Sequence, residues 1–208
     1  MKEALLESTL RFLRLRRILP SIRLFDNPSV LDIGCGWEAR LLKEIEPFIE
    51  RGVGVDFKAP DIKTSKLLTF SYFFEAKDSM DIGHGDTRTK LSGKKCHLPF
   101  ENESFEIVTL LAVLEHLNHP FEMLLEIQRV LRPGGIALLT VPSHLAKPIL
   151  EFLAYRLCVV SEAEIRDHKR YYNKADIKAL VEKTQNLKLE KHRYFQLGLN
   201  NFALLRKL

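Results

Sequence analysis

Four short apolar runs constrain this chain more than any other feature. They read VLDI at 30–33, VGV at 53–55, FEIVTLL at 105–111 and IALLTV at 136–141. Each is nearly continuous in apolar side chains, the pattern of a strand covered on both faces. Segments of helical spacing lie between them, at 38–50 and 120–131. Strands that alternate with helices build parallel βαβ units, so the spacing predicts an α/β protein with a doubly wound, Rossmann-like sheet. Three further strands complete a count of seven: Leu67–Phe74, 187–194 and 201–206.

The flanking segments fit a single domain over 1–208. Within an N-terminal helix segment 1–28, residues 3–19 read as an amphipathic helix, with Leu6, Leu10 and Leu13 at helical spacing, ended by Pro20 and the Asp26-Asn27-Pro28 turn. The sheet-forming core spans 29–143, a helical lid 144–172, and a closing helix and strands 173–208. Residues 76–97 are polar and glycine-bearing and read as a long loop. Net charge is +5, but residues 1–23 carry +4 and residues 165–193 carry +5, leaving an acidic body. Such asymmetry steers anionic ligands or simply keeps the surface soluble. The arginine-bearing N-terminal helix lies at a membrane interface or packs across the sheet. Cys35, Cys96 and Cys158 show no paired spacing, which suits a reducing, cytoplasmic setting. The N-terminus has no signal-peptide pattern.

The first run leads into a glycine turn, Gly34-Cys35-Gly36, followed by a helical pattern. A strand, a glycine loop and a helix build an anion-binding corner, where the glycines let the protein backbone approach a ligand and the helix N-terminus supplies free N–H groups. The loop fits the loose dinucleotide pattern G-x-G-x-x-A. Asp32 argues against a pyrophosphate there, because a carboxylate repels it; a cationic group would pair with Asp32 instead. Asp56 closes the second run, 20 residues after Gly36, where an acid accepts hydrogen bonds from ribose hydroxyls. A nucleoside with a cationic tail and no phosphates satisfies both acids, and S-adenosylmethionine is such a molecule. The plainer alternative is that both acids cap turns.

With these segments in order, VLDIGCG, VGVDF, LPFENESFEIVTLLAVLEHL and RVLRPGGIALLTVPS, the chain resembles the class I S-adenosylmethionine-dependent methyltransferases, in the group that includes ubiquinone-biosynthesis and small-metabolite enzymes. The resemblance implies a mostly parallel seven-stranded sheet whose last strand is antiparallel. It implies that the backbone of Gly34, Cys35 and Gly36 faces the methionine part of the cofactor and that Asp32 holds its ammonium. Asp56 takes the ribose hydroxyls, Phe57 lies against adenine, and Leu111 and Ala112 line the methionine side. Two positions depart from the family pattern. Glu38, after a bulky Trp37, stands where a small residue is usual, and Lys94 to His97 stand where an acid contacts the adenine amino group. Glu75 is then the displaced adenine contact.

On the acceptor side, a hydroxyl acceptor needs a base. His116, in Leu114-Glu115-His116-Leu117 just past the fourth parallel strand, stands where ligands gather in such sheets, with Glu115 to orient it. A packing histidine is the bland alternative. His168, Arg170 and Tyr171 form a second polar cluster for substrate, or a solvated helix start. Leu150, Phe152, Leu153, Leu157 and Val159 give the lid an apolar underside, which suits a glycan or lipid-linked acceptor or plain core packing. His84, Cys96, His97, Asp81 and Asp86 match no zinc spacing, so no metal site is read. Nothing matches the Asn/Asp-Pro-Pro-Tyr motif of DNA amino-methylating enzymes or the cysteine context of cytosine-C5 enzymes. The expected partner is therefore a small-molecule acceptor. RNA or protein methylation, and non-catalytic cofactor binding in a regulatory subunit, remain as alternatives.

Overall fold

Strand-forming runs and helical spacers assemble as alternation requires. The computed structural model describes residues 7–75, 96–156 and 160–208. Among them run α1 (Glu7–Ile22), β1 (Ser29–Ile33), α2 (Arg40–Ile45), β2 (Arg51–Asp56), β3 (Ile62–Lys63), β4 (Leu67–Ser71) and β5 (Phe105–Leu111). There follow α3 (Pro120–Val130), β6 (Leu131–Pro142), α4 (Ala146–Tyr155), α5 (Glu162–Arg166), α6 (Lys174–Glu182), β7 (Leu187–Phe195) and β8 (Asn200–Lys207). The sheet order is β3-β4-β2-β1-β5-β6-β8-β7. The pairings of β4, β2, β1, β5 and β6 are parallel, and β8 runs antiparallel to both β6 and β7.

Among the described residues the sheet has eight strands, one more than the seven expected. The addition is β3, two residues paired antiparallel with β4. A hydroxyl holds it: Thr69 Oγ1 accepts from the Ile62 N–H (3.2 Å) and donates to the Pro60 carbonyl (2.5 Å). Two residues carry no period, so the element is invisible to patterning.

Alternation along each strand divides the core into two layers. Val30, Ile107, Ile136 and Leu138 pack under Ile18 and Ile22 of α1 and Leu42 and Ile45 of α2. Leu31, Ile33, Val108, Leu110 and Leu139 pack against Met123, Leu124 and Ile127 of α3 and Ile177 and Val181 of α6. Asp32 and Thr109 share the α1/α2 side by the same alternation. Burying a large aliphatic side chain contributes about 1.5–3 kcal/mol, so both layers are strongly specified.

Several boundaries differ from the sequence reading. Pro20 does not end α1, which continues to Ile22, with Arg23 N–H reaching the Leu19 carbonyl at 3.0 Å. Burial of Ile18 and Ile22 outweighs the lost amide donor. This packing places α1 across the sheet, while Phe12 and Leu13 remain exposed. The second helix starts at Arg40 rather than at 38, because Ala39 adopts a left-handed conformation at φ 49°. The strand expected over 67–74 stops at Ser71. After α3 the chain is extended from Leu131, with Gly134 at φ +76°. A Cβ on Gly135 would sit 2.8 Å from the Glu106 carbonyl oxygen, so close backbone approach requires that glycine. The helical expectation for 145–166 appears as α4 and α5. Most of the long loop at 76–97, with Asp81, His84 and Asp86, lies outside the described residues, as do Leu6, Leu157, Cys158 and Val159.

Candidate active site

The corner after β1 is built by backbone. Gly34 and Gly36 take φ of +78° and +68°, conformations that strain any other residue. Gly34 N–H donates to the Val55 carbonyl at 2.8 Å and Gly36 N–H to Asp56 Oδ2 at 3.1 Å, tying the loop to the end of β2. The two glycines serve different ends. A Cβ on Gly34 would meet Val113 Cγ2 at 2.2 Å, whereas a Cβ on Gly36 would meet nothing within 4 Å. Gly34 is therefore a packing requirement, and Gly36 borders open space.

Two acids face this corner. Asp32 is 3% exposed, at the C-terminal end of β1. Thr109, opposite it on β5, donates to Asp32 Oδ1 at 2.6 Å. Burial pushes the Asp32 carboxyl up to about 7; the Thr109 hydroxyl opposes that rise and Asp56 adds to it. Asp56 accepts from Gly36 N–H and, at 2.8 Å, from Lys58 N–H. A carboxylate has about four acceptor sites, so Asp56 keeps capacity for hydroxyl donors. Cys35 is buried beside both acids, and burial with their charge pushes its thiol up.

Beyond Asp56, Phe57 is half-exposed and lies against Phe73, ring centroids 6.3 Å apart, with Lys58 Nζ 4.8 Å from its ring. Across the corner, Leu111 ends β5 and Ala112 takes φ 56°, its N–H held by the Thr140 carbonyl at 2.9 Å. Glu38 pairs with Arg40 and, at 3.6 Å, with Arg11 of α1, so it ties α1 to the glycine loop. Glu75 bonds neither loop nor aromatic pair. Its oxygens accept from His119 N–H (2.7 Å) and Asn118 N–H (3.1 Å).

The residues expected on the acceptor side converge from two distant segments. His116 ends the turn Leu114–His116, and its Nδ1 lies 2.8 Å from Asp167 Oδ2. Its ring meets that of His168 edge-on, centroids 4.8 Å apart. His168 Nδ1 lies 3.2 Å from the Tyr171 hydroxyl. Burial, His116 and Arg14 lower His168 to about 4, keeping it neutral at physiological pH. Burial and nearby Glu151 push Tyr171 up to about 12. The segment is strapped to the turn: Lys169 and Arg170 N–H donate to the Glu115 carbonyl, and the Arg170 guanidinium donates to the Leu117 carbonyl at 2.7 Å. Arg170 thus holds backbone, while Glu115, buried, carries its side chain beside both histidines.

Sequence reasoning missed two members of this arrangement. Thr109 was signalled only by a hydroxyl inside an otherwise apolar run. Asp167 directly precedes His168 in the chain, yet its partner lies 51 residues away.

The profile of the family described as "Methyltransferase domain" matches residues 5–192, nearly the whole chain. The chain belongs to that family. The demethylmenaquinone methyltransferase of Lactiplantibacillus plantarum is 29% identical over 139 residues, covering 65% of this chain and 54% of that protein. The chain thus spans about half the length of the curated relatives it matches. An S-adenosylmethionine-dependent methyltransferase from Mesorhizobium loti shares the fold at TM-score 0.62 and 13% identity, over 95% of this chain and 97% of that one. A Haloferax volcanii methyltransferase, solved with its Trm112 activator, does so at TM-score 0.66 and 13% identity, over 100% and 99%.

S-adenosylmethionine is the cofactor of these class I methyltransferase domains, and the donor set fits it. A buried carboxyl held at about 7 gains from a cationic partner, which the ammonium supplies. Asp56 offers acceptors for hydroxyl donors, and a Cβ on Gly36 would meet no atom within 4 Å. Among the described residues, no helix is long and apolar enough to cross a membrane.

Proposed function

We propose that this methyltransferase domain transfers a methyl group from S-adenosylmethionine to an oxygen or nitrogen of a small-molecule acceptor. The observation that carries the reading is the pair of acids on either side of the glycine loop, one buried beside Thr109 and one bonded to Gly36. In this reading Asp32 ionises against the cofactor ammonium. Asp56 takes the ribose hydroxyls, and Phe57 covers adenine. The Gly34-Cys35-Gly36 backbone, Leu111 and Ala112 bound the methionine part. Glu75 accepts the Asn118 and His119 amides and, like Asp56, keeps lone pairs for a further donor, here the adenine amino group.

The bound cofactor supplies the activated methyl group. The chain's own residues position the acceptor and handle its proton. With Asp167 accepting from His116 Nδ1–H, His116 Nε2 is left to take a proton from the acceptor. His168 and Tyr171 wall the same space. Tyr155 of α4 lies near Tyr171, and with the exposed Ile149 and Phe152 of that helix it supplies apolar surface that suits a ring-bearing, glycan or lipid-linked acceptor. The curated relatives are named for a quinone precursor, which supports a small-molecule acceptor.

Calorimetry with S-adenosylmethionine and S-adenosylhomocysteine, on wild type and Asp56→Ala, tests the reading. Saturable binding that the substitution abolishes supports it. No binding by folded wild type sinks it.

A further inference from the structure

We propose that Glu115, His116 and His168 form a site for a divalent first-row transition-metal ion on the acceptor side of the domain. The inference rests on the acceptor-side reading above and adds a cofactor to it. One ligand atom from each of the three side chains lies within 4.8 Å of the others. Bonds of about 2.1 Å from imidazole and carboxylate place tetrahedral ligand atoms about 3.4 Å apart, so closure on an ion needs small side-chain rotations.

Three independent features favour an ion over a mere polar cluster. First, each histidine is held through Nδ1 by an outer group. His116 has Asp167 at 2.8 Å, and His168 has the Tyr171 hydroxyl at 3.2 Å. Metal-bound histidines are commonly oriented in this way, with the other nitrogen left to ligate. Second, the two ligand segments are fixed to each other. The backbone amides of Lys169 and Arg170 donate to the Glu115 carbonyl, the Tyr172 hydroxyl to the Leu114 carbonyl at 3.4 Å, and Arg170 to the Leu117 carbonyl. This preorganises ligands 52 positions apart in sequence. Third, carboxylates gather at the cluster: Asp167 acts on His168 alongside the Arg14 guanidinium, and Glu151 acts on the neighbouring Tyr171.

Two imidazoles and one carboxylate, with further positions open to water or acceptor, suit Zn²⁺, Mn²⁺, Fe²⁺ or Co²⁺ better than Mg²⁺, which prefers oxygen ligands. An acceptor hydroxyl bound to the ion loses its proton to bulk water more readily. Its oxygen lone pair then forms the new bond to the methyl carbon, and the electrons of the breaking carbon–sulfur bond return to sulfur. His116 in that case holds the ion rather than the proton.

The test is titration of the metal-stripped full chain with Co²⁺, read by visible absorption, with S-adenosylmethionine binding measured on the same preparation. Wild type is expected to show a saturable band at one ion per chain that Zn²⁺ displaces and equal Mg²⁺ does not. His168→Ala and Glu115→Gln are each expected to weaken Co²⁺ binding at least tenfold. If Glu115→Gln fails to fold by circular dichroism, His168→Ala decides. Wild type that binds S-adenosylmethionine but shows no saturable Co²⁺ band overturns the metal site alone. A band unchanged in His168→Ala also overturns it. Folded wild type that binds neither overturns the methyltransferase reading itself.

Discussion

Thr109 donates a 2.6 Å hydrogen bond to Asp32 from the residue directly opposite on the neighbouring parallel strand. That hydroxyl partly offsets burial, the larger effect, which holds the carboxyl at about 7 in the free protein. A free protein near neutrality therefore carries Asp32 poised between its two states, and a cationic ligand draws it to the ionised one.

Cofactor affinity should consequently depend on pH. Below about 7 the ligand must displace a proton from Asp32, so affinity rises roughly tenfold per pH unit up to that point and levels above it. Asp32→Asn should bind weakly at every pH, with no break near 7. Calorimetry across this range checks both limbs, and an identical break in Asp32→Asn would assign it to another group.

The same carboxyl sets a stability trend. Its folded-state value lies above the ordinary 3.8, so its contribution is fully present below about 4 and is lost as pH rises towards about 7. Relative to Asp32→Asn, ligand-free wild type should lose stability over that window and stay level beyond it. The difference between the two proteins is the proper readout, because neutral burial of His168 slopes the other way between about 4 and its ordinary 6.5. Thr109→Val should cost about 1–3 kcal/mol, most above pH 7, where Asp32 is charged. Urea titrations at several pH values check these signs.

The two loop glycines should separate folding from binding. Gly34→Ala drives a Cβ to 2.2 Å from Val113 and strains φ, so a clear loss of thermal stability is expected. Gly36→Ala carries the strain alone, about 1–2 kcal/mol, but fills space at the cofactor corner. It should remain folded and lose cofactor affinity. Melting curves paired with calorimetry resolve the two, and full affinity in Gly36→Ala would move the cofactor away from that face.

In the proposed mechanism Asp167 acts through His116, 2.8 Å away. Asp167→Asn should lower methyl transfer about 10–100-fold while leaving S-adenosylmethionine affinity unchanged. Asp167→Glu should recover part of the rate. Equal loss of cofactor affinity would mark Asp167 as a folding residue instead.

Cys35 and Cys96 should resist alkylation at neutral pH. Both thiols are buried and pushed up, Cys35 beside Asp32 and Asp56 and Cys96 beside Glu75. Thiolate is the reactive form, so site-resolved mass spectrometry should find both labelled slowly. Bound cofactor should slow Cys35 further and leave Cys96 unchanged.

Local pattern determined much of this protein. Continuous apolar runs place β1, β2, β5 and β6, because a strand buried on both faces has no polar side to show. Gly34, Gly36, Asp32 and Asp56 were legible for a related reason: a turn with positive φ, and acids at strand ends, are local demands that few residue types meet. Tertiary structure decided the remainder. Burial of Ile18 and Ile22 carries α1 past Pro20, and the Thr69 hydroxyl together with the turn closed by Thr64 holds Ile62 and Lys63 as a strand. Glu75 is claimed by the amides of Asn118 and His119. Glu115, His116, Asp167 and His168 meet only because backbone hydrogen bonds strap two segments together at one end of the sheet. Propensity and periodicity act over a few residues, whereas those contacts exist only once the sheet has fixed both segments in space.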